Sequence, residues 1–250
     1  MSTKTMAFDK LKIALYAMRH SKQSKIYRDF LNDDYQRHNL ARLQHLGSLG
    51  LKLDGKRVLE VGAGIGDHTL FYLYRGCDIL PTDGRSENVD FIRKRLGIRA
   101  EILDAQLHPE AMLALGSFDI LHCYGLLYHI SNPEQFLQSA ARTAKLLLLE
   151  TCVSYGKEAA LNPVSEDSAV LSQAMHGQGC RPTRPWLFQT LKKNYEFVYC
   201  PKTQPRHPEF PLQWRTPPSN STALTRAVFI ASRTAIQNPL LSTEIPDEYN

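Results

Sequence analysis

Long hydrophobic runs, runs of like charge and paired-cysteine motifs are all missing from this sequence of 250 residues. Its longest purely aliphatic stretch is the leucine run 146–149, far short of the roughly 20 residues that a membrane helix needs, so no membrane partner is expected. Lysine and arginine number 30 against 25 aspartate and glutamate, a balance of +5 spread thinly along the chain. Phosphate recognition usually shows a basic stripe or face, so nucleic acid is a disfavoured partner. Asp9 and Lys10 interrupt what would be the apolar core of a secretory signal, while Phe8, Leu11, Leu15 and Met18 recur at helical spacing; an amphipathic helix and a cytoplasmic location are expected. The five cysteines are an odd number without a C-x-x-C, and Cys77, Cys123, Cys152 and Cys200 lie in apolar runs, which reads as buried free thiols. Disorder is excluded as the main state, because 43% hydrophobic residues over this length build a real core.

What is present is a rhythm. Short apolar runs begin at Arg57, Cys77, Ile98, Phe118 and Lys145, and helical patterns fill the gaps at 67–74, 87–96 and 133–144. Strands alternating with helices imply crossovers and therefore an α/β fold, a doubly wound, mostly parallel sheet. The run KLLLLE suits a strand buried on both faces. Residues 6–50 read as helices broken near 21–24 and 32–34, and the first 50 residues are expected to form a helical lid on a core at 51–153. Residues 154–220 are proline-rich, an irregular acceptor-side insertion with one helix at 183–193 capped by Thr183. Strand character returns at 223–233, with 195–200 as a partner, and residues 221–250 hold the final strand and a tail that reads as an exposed extension after Asn238.

Directly after the first strand the chain reads Glu60-Val61-Gly62-Ala63-Gly64-Ile65-Gly66-Asp67. Glycines there let the backbone turn sharply against a ligand. A dinucleotide loop needs G-x-G-x-x-G, with pyrophosphate on the helix N-terminus; position 67 is an aspartate, which would repel that anion. The spacing G-x-G-x-G behind an acidic residue instead resembles motif I of the class I S-adenosylmethionine-dependent methyltransferases, which have a Rossmann-like fold. The resemblance covers roughly residues 57–152. It implies S-adenosyl-L-methionine as cofactor, held by Glu60, Gly62, Ala63, Gly64 and Gly66, with Glu60 as part of an acidic rim. It further implies Asp83, followed by Gly84, on the ribose hydroxyls, and Asp104, followed by Ala105, on the adenine amino group, with Tyr124 closing the fourth strand beside them. Each aspartate alone also reads as a turn or cap residue.

After the fourth strand comes Gly125-Leu126-Leu127-Tyr128-His129-Ile130-Ser131-Asn132-Pro133. The resemblance places His129 before a proline turn facing the acceptor, where an imidazole of pKa near 6.5 can take a proton from an attacking hydroxyl; structural packing is the rival role. Some ubiquinone-pathway and small-RNA methyltransferases carry metal-binding glutamates four positions and one position before this histidine. Here Gly125 and Tyr128 stand there, so no metal is expected. His122 and Cys123 point to opposite faces of a strand and cannot chelate together. GLLYHISNP also resembles an element of the tRNA wobble-uridine carboxymethoxy transferases, over about a dozen residues.

Acceptor selection falls to segments outside the sheet: Tyr35, Arg37, His38, Arg42 and His45 before it, His176, Arg181, Arg184 and Trp186 after it, with Tyr128 between. Arginine forks bind anionic groups and rings stack on sugars; alternatively the arginines form a solvated face and Trp186 is core. The pattern looks like bacterial methyltransferases of glycan or secondary-metabolite assembly. It implies an enzyme that O-methylates a small polar or glycan acceptor; a tRNA-modifying transferase and a non-catalytic cofactor-binding relative are the rivals.

Overall fold

The computed structural model describes residues 25–217 except 27, and residues 224–249. The expected apolar runs become strands β1 (Arg57–Val61), β2 (Asp78–Asp83), β3 (Glu101–Ile102), β4 (Phe118–Tyr124) and β5 (Ala144–Cys152), mutually parallel in the order β3-β2-β1-β4-β5. Helix α1 (Asp33–Ser48) precedes them, and α2 (Asp67–Leu73), α3 (Ser86–Leu96) and α4 (Pro133–Thr143) lie in the crossovers. The chain break expected near 32 is the cap of α1, where the Asn32 side chain accepts the Tyr35 N–H at 2.9 Å. The amphipathic helix expected at 8–18 lies outside the described residues.

Alternation within β5 explains its leucine run. Leu147 and Leu149 pack with Phe136 and Leu137 of α4, and Leu148 packs on the other face with Leu46 and Tyr72, so neither face meets water. β3 is shorter than its apolar run predicts, and Pro81 supplies a reason. Thr82 faces β1, its carbonyl accepting from Gly62 and Ala63 at 2.9 Å; the neighbouring Pro81 therefore faces β3 without an N–H, and β2–β3 pairing begins only at Thr82. Asp104 consequently lies two residues beyond its strand.

The insertion also contains structure that proline density concealed. Strands β6 (Pro163–Ser165) and β7 (Gln178–Cys180) form a separate hairpin. Helix α5 (Arg184–Asn194) follows, its first turn bonded to Thr183 as expected. The sheet is completed by β8 (Phe197–Pro201) and β9 (Arg226–Ser232), antiparallel to each other, with β9 antiparallel to β5. The tail is not an exposed extension: β10 (Leu241–Ser242) pairs with β8, the Trp214 N–H donates to the Asp247 carbonyl, and Ile245 and Tyr249 pack on the core. All five cysteines are free and buried. Among the described residues no helix is long and apolar enough to cross a membrane.

Candidate active site

Strand order reverses between β4 and β1, and open α/β sheets bind ligands outside the carboxyl ends at such a point. A cleft of about 830 Å³ opens there. Gly62, Gly64, Asp83, Gly84, Asp104 and Ala105 line one half of it. Gly62 has φ 75°, and a Cβ on it would lie 2.9 Å from the Leu126 Cβ, so the loop's turn and its contact with the segment after β4 both require glycine. Phe30, from the N-terminal segment, covers the loop at Gly64.

Both strand-end carboxylates are fixed by hydrogen bonds. Asp83 Oδ2 accepts from the Gly64 N–H at 2.9 Å, and Oδ1 from the Arg85 N–H at 2.9 Å and the Asn88 amide at 3.1 Å. A carboxylate offers about four acceptor positions; three are taken, so in this state Asp83 has room for one more donor rather than for two hydroxyls. Burial pushes its carboxyl up despite these bonds. Asp104 Oδ1 accepts the N–H groups of Gln106 and Leu107, while Oδ2 meets His176 Nε2 at 2.7 Å. Burial works against the Asp104 anion, but the Leu107 N–H and His176 outweigh it and hold the carboxyl low. His176 thus faces the carboxylate expected to hold adenine, at the cofactor end of the cleft, not the acceptor end.

Three loop residues expected against the cofactor do not line this cleft. Glu60 is 2% exposed, beneath the glycine loop, where it accepts the Thr69 hydroxyl; burial raises its carboxyl to about 8. It is a buried support, not an acidic rim, because β1 is paired on both sides and its side chains face packed layers. Ala63 packs against Val89, Ile92 and Ala100. Gly66 is the N-cap of α2 and abuts Leu96 and Ile92.

The other half of the cleft is lined by His38, Arg42, Tyr124, Tyr128, His129 and Arg181, joined by Glu166, His207, Glu209 and Arg226. Its floor is ionic. Glu150, fully buried at the end of β5, accepts from Arg42 at 2.8 Å and Arg226 at 3.1 Å. Burial opposes its charge, but Arg226 and Arg42 prevail and hold the carboxyl low. Arg226 also bonds Glu209 and, at 3.2 Å, the Tyr128 hydroxyl; Arg181 bonds Glu166 at 2.9 Å. Arg42 and Arg181, expected to grip an anionic acceptor, are therefore already neutralised inside the chain, as is Arg226. His38 is 7% exposed, its Nε2 without a hydrogen-bond partner among the described residues, and burial with Arg42 and Arg226 keeps its ring neutral. The ligating atoms of His38, His207 and Glu209 lie within 4.8 Å of one another. A cation there would compete with Arg226 for Glu209, so the cluster fits hydrogen bonding to a polar acceptor better than metal binding.

Tyr124 is buried, with its hydroxyl without a partner among the described residues. His129 ends the short 3-10 turn Leu127–His129, its ring 3.9 Å from that of Tyr128 and its Nδ1 bonded to Glu166 Oε2. Trp186 does not reach the cleft. It sits on α5, packed against the main core, because the first turn of that helix faces the sheet. Arg184 binds the Pro246 carbonyl at 2.6 Å, Arg37 pairs with Asp34, and His45 Nε2 meets the Thr203 carbonyl at 3.0 Å; none of the three lines the cleft.

Sequence reasoning missed Glu150, Glu166, Glu209, His207 and Arg226. Two of them carried a readable signal: Glu150 and Arg226 are charges set in otherwise apolar strand runs, and a charge in a buried strand needs a partner.

A family profile described as a methyltransferase domain matches residues 31–190. The ubiquinone biosynthesis O-methyltransferase of Bordetella avium is 26% identical over 110 residues, 43% of this chain and 46% of that protein; the match spans just under half of that relative's length. The ribosomal RNA small subunit methyltransferase A of an Anaeromyxobacter species is 27% identical over 237 residues, 88% of this chain and 79% of that one. The N-terminal domain of EvdMO1, solved with SAH bound, shares the fold at a TM-score of 0.57 and 23% identity, covering 78% of this chain and 80% of that one. With a domain match over most of the chain, a glycine loop after β1 and carboxylates at the end of β2 and just past β3, the chain belongs to the class I S-adenosylmethionine-dependent methyltransferases.

Proposed function

We propose that the chain transfers a methyl group from S-adenosylmethionine to a hydroxyl of a small polar acceptor, sugar-containing or otherwise rich in hydroxyls, with His129 as general base. One observation carries this reading: a single cleft holds Gly62, Gly64, Asp83 and Asp104 on one side and His129 with a largely neutral polar wall on the other. Bound there, the cofactor supplies an electrophilic methyl group on a cationic sulfonium. Asp83, fixed by Gly64, Arg85 and Asn88, accepts a ribose hydroxyl. Asp104 receives the adenine amino group by sharing Oδ2 with His176 or displacing it. His129 takes the hydroxyl proton as the acceptor oxygen bonds to carbon and the carbon–sulfur bond breaks. His38 and His207 offer neutral ring nitrogens to further hydroxyls, and proximity in the cleft contributes much of the rate.

The likeness to a ribosomal RNA enzyme raises an RNA acceptor as the second reading. Less supports it, since Arg42, Arg181 and Arg226 are each committed to carboxylates and RNA affinity rests on free cations along a backbone.

Calorimetry with S-adenosylhomocysteine tests the cofactor half. Asp83→Ala should weaken binding by about 1.5 to 3 kcal/mol, the usual loss for a hydrogen bond to a charged group, and unchanged affinity would reject the assignment. Transfer of labelled methyl to a panel of hydroxylated compounds tests the other half. His129→Gln should leave S-adenosylhomocysteine affinity nearly unchanged and lower turnover by about a hundredfold or more; retained turnover in a folded variant would remove His129 as the base.

A further inference from the structure

His129 is held by a residue far away in the chain and in a different layer. The hairpin β6–β7 carries Glu166 just past its first strand, and the loop 166–177 lies over the cofactor half of the cleft. Arg85 binds that loop through the carbonyls of Ser168, Val170 and Gln173, at 3.0, 3.1 and 3.3 Å. The Leu171 N–H donates to Asp29 at 3.1 Å, and His176 meets Asp104. Met175 lies 3.2 Å from where a Cβ on Gly84 would sit. At its other end the hairpin is flush with the turn that presents His129: a Cβ on Gly179 would fall 2.3 Å from the Tyr128 carbonyl oxygen.

The Glu166 carboxylate joins these two contacts. Oε2 bonds His129 Nδ1 and also accepts the Ala174 N–H of the loop at 2.8 Å, while Oε1 accepts from Arg181 at 2.9 Å. The Glu166 N–H closes the loop on the Gly177 carbonyl at 3.0 Å. An ionised carboxylate only accepts, so the shared hydrogen belongs to Nδ1 and the lone pair to Nε2, the arrangement in which an oriented imidazole acts as a base.

We infer that Glu166 is the positioning residue of this site: it fixes His129 in the Nδ1–H tautomer and, through the same oxygen, ties that tautomer to the seating of the 166–177 loop over the cofactor. The inference rests on His129 being the base, and it adds that the base is set only when the cofactor half is roofed. The charged and titratable groups facing His129 are Glu166, Arg181 and Arg226, with Tyr128 stacked on it. Burial, Arg181 and Arg226 pull its pKa down, and Glu166 alone pulls it up. Losing that carboxylate must therefore move the ring's titration to lower pH.

NMR of the full chain labelled with 15N-histidine and saturated with S-adenosylhomocysteine tests this, His129→Gln assigning the signal. The wild type should show the Nδ1–H tautomer. Glu166→Gln should lower the ring's midpoint by about half a pH unit or more and speed S-adenosylhomocysteine release by about two- to tenfold, the worth of one hydrogen bond to the loop. Glu166→Asp, which keeps the charge at shorter reach, should fall between them and serves if the glutamine variant does not fold. An Nε2–H tautomer in the wild type, an unmoved midpoint or an unchanged release rate would each overturn the inference, even if melting temperature falls. Turnover of His129→Gln reports separately on the base, so either idea can fail alone.

Discussion

The two halves of the cleft are built in opposite ways. The cofactor half comes from consecutive strand ends, residues 62 to 105, and its carboxylates are held mainly by backbone N–H groups close in sequence: Gly64 and Arg85 on Asp83, Gln106 and Leu107 on Asp104. The acceptor half comes from α1, the turn after β4, the β6–β7 hairpin, the loop after β8, and β9. Its charged members are tied together largely through side chains far apart in sequence, Arg42 with Glu150 across 108 positions and Arg226 with Glu150 across 76. A half held by local backbone tolerates change in side chains elsewhere, whereas one held by long-range charge stands or falls with its counter-ions.

Glu150 is where that contrast breaks most sharply. Glu150→Ala strands two buried guanidinium groups, and among the described residues Arg226 keeps only Glu209 as a carboxylate partner. Removing one partner of a buried ion pair typically costs about 3 to 5 kcal/mol, a large share of a domain's whole stability. Urea unfolding at neutral pH should show a loss of that order. A loss below about 1 kcal/mol would mean that water already reaches the triad, and the distinction between the halves would lapse.

The same contrast decides what was legible in the sequence. The spacing of the apolar runs located β1, β2, β4, β5 and β9, and the glycine loop with two strand-end aspartates located half of the cleft, because local backbone geometry builds those features and leaves a periodic trace. Nothing periodic links His129 to Glu166 37 positions on, or His38 to Glu209 far beyond it; such pairs are created by topology. Trp186 misled because an aromatic among arginines looks like a binding surface, whereas α5 turns that ring toward the core. The tail misled because a two-residue strand, β10, lacks any apolar run to announce it. Glu60 was placed by its motif in the right loop and on the wrong side of it: the motif fixes the backbone, and burial decides which face the side chain sees.

Glu60 gives the finest test of the comparison, since it is the one carboxylate of the cofactor half wholly enclosed beneath the loop. In the fold its carboxyl is raised to about 8 by burial, with Asp67 and Asp83 adding to the rise and Thr69 opposing it. In the unfolded chain it titrates near 4.5. Between these values the native state holds a proton that the unfolded state has released, so Glu60 favours folding fully below pH 4.5 and this contribution is lost as pH rises to 8. Glu60→Gln cannot ionise, and its amide preserves the shape. The stability difference between variant and wild type should therefore shift toward the variant as pH rises from 5 to 8, with a slope of up to about 1.4 kcal/mol per pH unit. His45, depressed to about 4, acts in the opposite sense below its unfolded pKa near 6.5, but it is common to both proteins and cancels in the difference. Urea titrations of the pair at several pH values measure it. A flat difference would mean that Glu60 is ionised in the fold, with the small cavity of about 20 Å³ beside it and His68 hydrated enough to carry the charge. The cofactor half would then rest on a buried charge as the acceptor half does.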